Sequence, residues 1–517
     1  MTTFTTAVTV TGNTTYTLDA GNILDVNGDA AIIWQGTNTT DTVNNSGTIT
    51  GTSDNSLKIG TVPVTGTLTF NNLSGGTVAS EMDLRDLNTG ASVTINNSGL
   101  FNADEDHAMR FATDGGSVIL NNEATGVITA ADASEDVLKD GSNTTINNHG
   151  KILSSGDEFG ADGLPSETGG DAIDFGDGTN NTVHNFAGGI IAASHHGITG
   201  DFGATIVNDV GGQIIGHNGA GINFDNDIDP ANLVTITNKG AILGESQTYD
   251  DSDGDAIDCD GAIALDNYGF VGGMGAHGQH DGGDNHSEAI AIGGGTINNY
   301  AGGMIYSVQR AIQVDDSTEG NAPTATTIIN EGTIQGLDGG AIIIIGEQAD
   351  TLTNKGTILG DISMGGGSDK VTFTGKSNVV GTVDLGDGKD VFKGAKGDEM
   401  ILGGAGADKL TGGTGDDTFI FVLGDTGATK ATADTIFDFK AGDIFDLSAI
   451  DANGAGAGDP DFKFIGSQDF HDKAGELRFV KENSDTWIQG DIDGNGKADF
   501  IIHLDDAVTL KAGYFDL

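Results

Sequence analysis

Apolar and polar positions alternate in short bursts along the first 360 residues, as in Thr145-Ile146-Asn147-Asn148 and Thr235-Ile236-Thr237-Asn238, without the spacing of an amphipathic helix. Period-two bursts bounded by Gly, Asn and Asp predict short strands. The bursts also repeat. A unit T-(I/V)-x-N-x-G-x-I occurs at Thr42–Ile49, Thr145–Ile152 and Thr235–Ile242. Its asparagine recurs as Asn45, Asn72, Asn97, Asn122, Asn148, Asn185, Asn208, Asn238, Asn267, Asn299, Asn330 and Asn354, about 27 residues apart. Between these markers lies a second piece with Ala-Ile at its centre, as in Asp171–Phe175, Asp255–Cys259 and Glu288–Ile292. Three short strands per unit predict a parallel β-helix. One coil cannot bury its inward Ile and Val alone, but stacked coils share a core. Asparagines repeating at one position should stack as a hydrogen-bonded ladder at a bend. The stretch before Ala30 is expected to cap one end of the stack.

From residue 361 the period drops to nine. Copies start at Leu385 (LGDGKDVFK), Gly394 (GAKGDEMIL), Gly403 (GGAGADKLT) and Gly412 (GGTGDDTFI), with a looser one at Met364 (MGGGSDKVT). Glycine permits the positive φ of a tight turn, a carboxylate in sixth place supplies oxygen to a hard cation, and the apolar eighth residue points into a core. The copies fit the nonapeptide G-G-x-G-x-D-x-U-x of the calcium-binding RTX proteins, which they resemble. This implies Ca2+ as the bound ion. The implied ligand positions are Gly367 and Asp369, then Gly386, Gly388 and Asp390, then Gly397 and Glu399, then Gly404, Gly406 and Asp408, and finally Gly413, Gly415 and Asp417. Two nonapeptides make one coil, so Asp390 is expected beside Asp408 and Glu399 beside Asp417. The Leu385 copy lacks its first glycine, and the Gly394 copy carries Glu399 where Asp is usual.

Three later stretches, Asp434–Phe439, Gly442–Ser448 and Gly490–Phe500, together with the ending Tyr514-Phe515-Asp516-Leu517, resemble the C-terminal module of serralysin-type secreted metalloproteases. The resemblance covers about residues 361–517. It implies export by a type I secretion apparatus to the outside of a Gram-negative cell, directed by an uncleaved C-terminal signal. The protease half does not carry over, because no H-E-x-x-H occurs. Asp491, Asp493, Asn495 and Asp499 form an EF-type loop pattern whose twelfth place is Ile502 instead of a bidentate Glu, so a metal site and a plain structural turn both remain open. The expected fold class is all-β. A right-handed parallel β-helix of about 13 coils spans residues 1–360, a calcium β-roll 361–422, and a small β-rich secretion module 423–517.

Charge narrows the function. The 517 residues hold 22 Lys and Arg against 76 Asp and Glu, a net charge of −54, with 85 glycines. Nucleic acid is excluded as the main partner, since phosphate binding needs Lys and Arg, and cations are favoured. The single Cys259 rules out a disulfide framework and reads as an inert core residue. Met1–Val10 has neither the basic residues nor the apolar core of a Sec signal peptide.

Parallel β-helices of the pectate-lyase-like type cleave or epimerise acidic polysaccharides. Such chemistry needs a cation against a carboxylate and a base. Residues 1–360 contain Arg85, Arg110, Arg310, Lys58, Lys139, Lys151, Lys239 and Lys355, with no two in one tight motif. Asp171, Asp174, Asp177, Asp253, Asp255, Asp258 and Asp260 are candidate carboxylates for glycoside hydrolysis, though their recurrence reads more simply as solvent-facing or ion-binding positions. The run His277, His280, Asp281, Asp284 and His286 has metal-ligand atoms in a glycine-rich loop, and Asp251, Asp253 and Asp255 suggest another calcium loop. No catalytic residue is assigned. The sequence favours a secreted calcium-binding surface, matrix or adhesion protein with a glycan or cell-surface ligand. A polysaccharide-active enzyme and a self-associating, S-layer-like subunit are the alternatives.

Overall fold

A computed structural model describes residues 1–27, 30–35, 37–51, 55–60, 64–103, 107–130, 135–154, 169–245, 254–275, 278–280, 283–285, 287–315, 320–337, 340–454 and 461–517, with backbone alone for 51, 55–56, 278–280 and 283–285. The chain divides into two compact units, Met1–Gly293 with Gly303–Gln309, and Gly294–Gly302 with Arg310–Leu517. Among the described residues the only helical elements are the 3-10 turns Pro230–Asn232 and Ala512–Tyr514. Among the described residues no helix is long and apolar enough to cross a membrane.

The first unit is a parallel β-helix with three strands per coil. In one coil these are Ser117–Asn122, Val127–Ala130 and Leu138–Lys139, and each pairs in parallel with its counterpart in the next coil: Thr144–Asn148, Lys151–Ser154 and Ile173–Asp174. Alternation decides what is buried. Val43, Phe70, Ile95, Leu120, Ile146, Val183, Ile206 and Ile236 are in register from coil to coil and at most 1% exposed. Each such inward side chain, cut to Ala, would cost about 2–5 kcal/mol. Residues before Ala30 form strands of the stack itself. Thr3–Phe4, Val8–Val10 and Thr15–Leu18 already pair with the following coil, because Val10 and Leu18 fall on its inner face.

The marker asparagines form a buried ladder. Asn97 Nδ2 donates to Asn122 Oδ1 at 2.9 Å, and Asn122 Nδ2 donates to Asn148 Oδ1 at 2.8 Å and to the Lys151 carbonyl at 3.1 Å. A spare polar group at the bend is thus satisfied by the next coil. The glycine two places on is required by close approach, since a Cβ on Gly99 would sit 2.2 Å from the Gly76 carbonyl oxygen. Ladder geometry does not depend on coil length. Asn148 and Asn185 lie 37 residues apart and bond at 2.8 Å, while Asn185 and Asn208 lie 23 apart and bond at 2.9 Å. Most of the extra length falls between the second and third strands of a coil.

In the second unit the ladder runs Asn299, Asn330, Asn354. Its second-strand sheet ends at Asn378–Val380, whereas the other two faces run on through Lys370–Phe373, Val391–Lys393 and Lys409–Thr411, and through Thr382–Asp384, Met400–Leu402 and Thr418–Ile420. A three-sided coil thereby becomes a two-sided roll with Val371, Phe392, Leu410, Val383, Ile401 and Phe419 inside. Phe500–Leu504 then lies parallel to Asp434–Ile436, and Phe515–Asp516 to Ile444–Asp446, while Glu476–Glu482, Asp485–Asp491 and Phe500–Leu504 form an antiparallel sheet.

Candidate metal centre

An acid stands just before the roll strands that begin at Lys370, Val391, Met400, Lys409, Thr418 and Ile444, and the coils stack these acids along two edges. On the first edge the backbone N–H of Asp350 donates to Asp369 Oδ1 at 2.7 Å, Asp369 N–H to Asp390 Oδ1 at 2.7 Å, Asp390 N–H to Asp408 Oδ1 at 2.8 Å, and Asp408 N–H to Asp434 Oδ1 at 2.9 Å. On the second edge Glu399 N–H donates to Asp417 Oδ1 and Asp417 N–H to Asp443 Oδ1, both at 3.1 Å.

One oxygen of each carboxylate is thus used to fix its orientation. The other is left over: Oδ2 of Asp350, Asp369, Asp390, Asp408 and Asp434, and Oε2 of Glu399, are buried without a hydrogen-bond partner. Unpartnered buried carboxylate oxygens are costly. The strain appears in their acidity. Burial, then the neighbouring carboxylates, push Asp434 up to about 8 and Asp408 up to about 7. Burial, with like charge nearby, lifts Asp369 to about 7 and Asp390 to about 6. Burial and then the facing Asp417 raise Glu399 to about 8.

Glycine brings the loops close enough to stack. Gly367, Gly386, Gly404, Gly413 and Gly415 have positive φ, whereas Gly388, Gly397 and Gly406 do not. A Cβ on Gly406 would lie 1.9 Å from the Gly388 carbonyl oxygen, so nothing larger fits there. In the Gly394 copy Ala395 stands where the Leu385, Gly403 and Gly412 copies have a left-handed glycine, and its backbone does not enter that region. Orphaned oxygens, oxygen-only donors and negative charge fit a hard divalent cation. Asp350, Asp434 and Asp443 belong to the same rows although no nonapeptide contains them. Their signal is an Asp at or just before the start of an apolar-alternating strand, as in Asp350-Thr351-Leu352 and Asp434-Thr435-Ile436.

Residues 314–513 match the family model described as the Peptidase M10 serralysin C terminal. This stretch, with its RTX-type repeats, is similar to the serralysin C-terminal module. No curated protein matches the chain. Among solved structures, a subunit of the mannuronan C5-epimerase of Azotobacter vinelandii, determined in solution, is 26% identical, with 33% of this chain and 80% of that chain covered and a TM-score of 0.20.

The serralysin-like module also contains the EF-type loop, which is built differently. Asp491 accepts from the N–H groups of Gly494, Asn495 and Gly496, Asp499 from Ile492 and Asp493, and Asn495 Nδ2 donates to Asp493. The carboxylates of Asp491, Asp493 and Asp499 converge, yet none leaves a buried unpartnered oxygen.

In the first unit, register assembles a charged row that no local motif announces. Lys58, Asp83, Arg110, Lys139, Asp174, Thr199, Asn223 and Asp258 are consecutive partners on the third face. Lys139 sits between Asp174 and Asp136, 2.9 Å from the latter. His195 Nδ1 lies 3.1 Å from Asp171 Oδ1, which also accepts the His196 N–H. His196 Nδ1 accepts from Ala220 N–H, and burial followed by the His195 charge pushes its pKa down to about 3, so it stays neutral. Cys259 is buried on the inner face. His277, Asp281, His286, Asp251 and Asp253 lie outside the described residues, and His280 and Asp284 are described in backbone only.

Proposed function

We propose that this is a secreted calcium-binding protein whose β-helix acts as an extracellular surface, matrix or adhesion element and whose roll folds on Ca2+ after type I secretion. The observation that carries the reading is the stacked row of carboxylates with buried, unpartnered oxygens. When bound, calcium would supply positive charge to these oxygens, and Asp369, Asp390, Asp408, Asp434, Glu399 and Asp417 would hold it. Where calcium is scarce the crowded acids repel and weaken the roll as they lose their protons. At millimolar calcium, binding free energy becomes folding free energy. The net charge of −54 argues against nucleic acid. Circular dichroism of the full chain, titrated with calcium after chelator treatment, should show a calcium-dependent gain of β signal; a signal indifferent to calcium refutes the proposal.

A second reading has a specific observation behind it. His195 is oriented by Asp171, whose carboxylate clusters with those of Asp136 and Asp174 that hold Lys139, so a candidate base and a cation share one group of acids, as a polysaccharide lyase, epimerase or hydrolase could use. Incubating the protein with acidic and neutral glycans and assaying reducing ends and unsaturated products tests it. Turnover lost in His195→Ala would favour the enzyme, and no product from any glycan would reject it.

A further inference from the structure

The two acidic edges of the roll are not equivalent. On the first edge, among the described residues, no lysine or arginine nitrogen is paired with Asp369, Asp390, Asp408 or Asp434, and each keeps an unpartnered buried oxygen. On the second edge the row begins the same way. Glu399 is 6% exposed, and its Oε2 is buried and unpartnered. One coil further on, the pattern stops. The Lys440 ammonium lies 3.0 Å from the Gly413 carbonyl oxygen, 3.3 Å from Asp417 Oδ2 and 3.2 Å from Asp443 Oδ1. Its own backbone N–H donates to Asp443 Oδ2 at 2.9 Å, so the residue is clamped by the acid it neutralises.

One loop carbonyl and two carboxylates from successive coils are the donor types a hard cation would meet in this row. We infer that Lys440 is a resident counter-cation that fills the last position of the second edge, between Asp417 and Asp443, and excludes a divalent ion from it. The inference rests on the calcium reading above and adds a rule of occupancy. The first edge and the Glu399–Asp417 position take ions, whereas the Asp417–Asp443 position is closed by the chain itself. The second edge is thus finished by a covalently tethered charge that no chelator removes. An ammonium satisfies fewer oxygens than a divalent ion, but its local concentration does not depend on the medium.

The test counts ions. Equilibrium dialysis with radioactive calcium is run at pH 8 on the full chain, as wild type, Lys440→Met and Lys440→Arg. Lys440→Met should bind one more calcium per chain than wild type, and Lys440→Arg the wild-type number. If Lys440→Met does not hold its fold without calcium, both proteins are refolded in calcium and the ions released to a graded chelator are counted, with the same difference of one expected. Equal numbers in wild type and Lys440→Met, where both bind calcium, overturn this inference alone. No binding by either overturns the calcium reading with it.

Discussion

Asp434 offers the sharpest check on the view that the roll is held apart by its own charge. Asp434→Asn keeps the acceptor that receives the Asp408 N–H at 2.9 Å and removes the charge behind the unpartnered oxygen. In the folded chain this acid is buried and its pKa lies near 8, against an ordinary 3.8. A raised carboxylate favours the protonated folded form. Its contribution to stability is whole below about pH 4 and is lost as pH climbs toward 8, at about 1.4 kcal/mol per pH unit within that window. Over the two units between pH 5 and 7, with sharing of protons with Asp408, that comes to roughly 1–2 kcal/mol. Calcium-free wild type should therefore lose stability over this range more steeply than Asp434→Asn by that amount. Trp487 is a local reporter because it packs with Ala433 and Ile501. Urea unfolding followed by its fluorescence, in a Trp34→Phe background with chelator present, measures the difference. Parallel pH slopes for the two proteins would refute the reasoning.

Other consequences follow from the same geometry. Because calcium must displace protons from acids lifted to between about 6 and 8, calcium affinity measured by titration calorimetry should weaken as pH falls from 8 to 6. Gly406→Ala puts a methyl 1.9 Å from the Gly388 carbonyl oxygen, so it should weaken calcium binding at least tenfold, or about 1.4 kcal/mol, in the same calorimetric assay. Asn122→Ala removes two donated bonds and leaves the amide of Asn97 without its 2.9 Å acceptor; a loss of about 2–4 kcal/mol is expected in urea unfolding. Asn121 is half-buried in a second, outer row of asparagines, donating to Asn96 Oδ1 and accepting from Asn147 Nδ2, both at 2.8 Å, and Asn121→Ala should cost about 1 kcal/mol or less by the same measure.

The stacked asparagines and the nonapeptides are legible in the sequence because each coil needs the same residue at the same place. An inward polar group at a bend must find its partner in the next coil, so Asn122 predicts Asn148. A glycine packed on a carbonyl cannot drift to another residue, so Gly388 and Gly406 repeat. What escapes is made by register between coils of unequal length. Lys58, Asp83, Arg110 and Lys139 stand each a whole coil apart, and no window of sequence contains two of them. Asp350 and Asp434 extend the acidic edge without a glycine loop to announce them. Lys440 lies 23 residues from Asp417, and only the fold turns it back onto that acid.

The ladder's indifference to coil length bears on how such a chain can acquire new parts. A corner that accepts a 37-residue coil as easily as a 23-residue one behaves like a mounting rail of fixed pitch. By loop-closure entropy, doubling a loop there costs only about 0.6 kcal/mol, and the slots above and below keep their alignment. Sequence inserted between the second and third strands is therefore nearly free of structural penalty. New binding loops can be tried, kept or discarded one coil at a time while the rail itself stays the same.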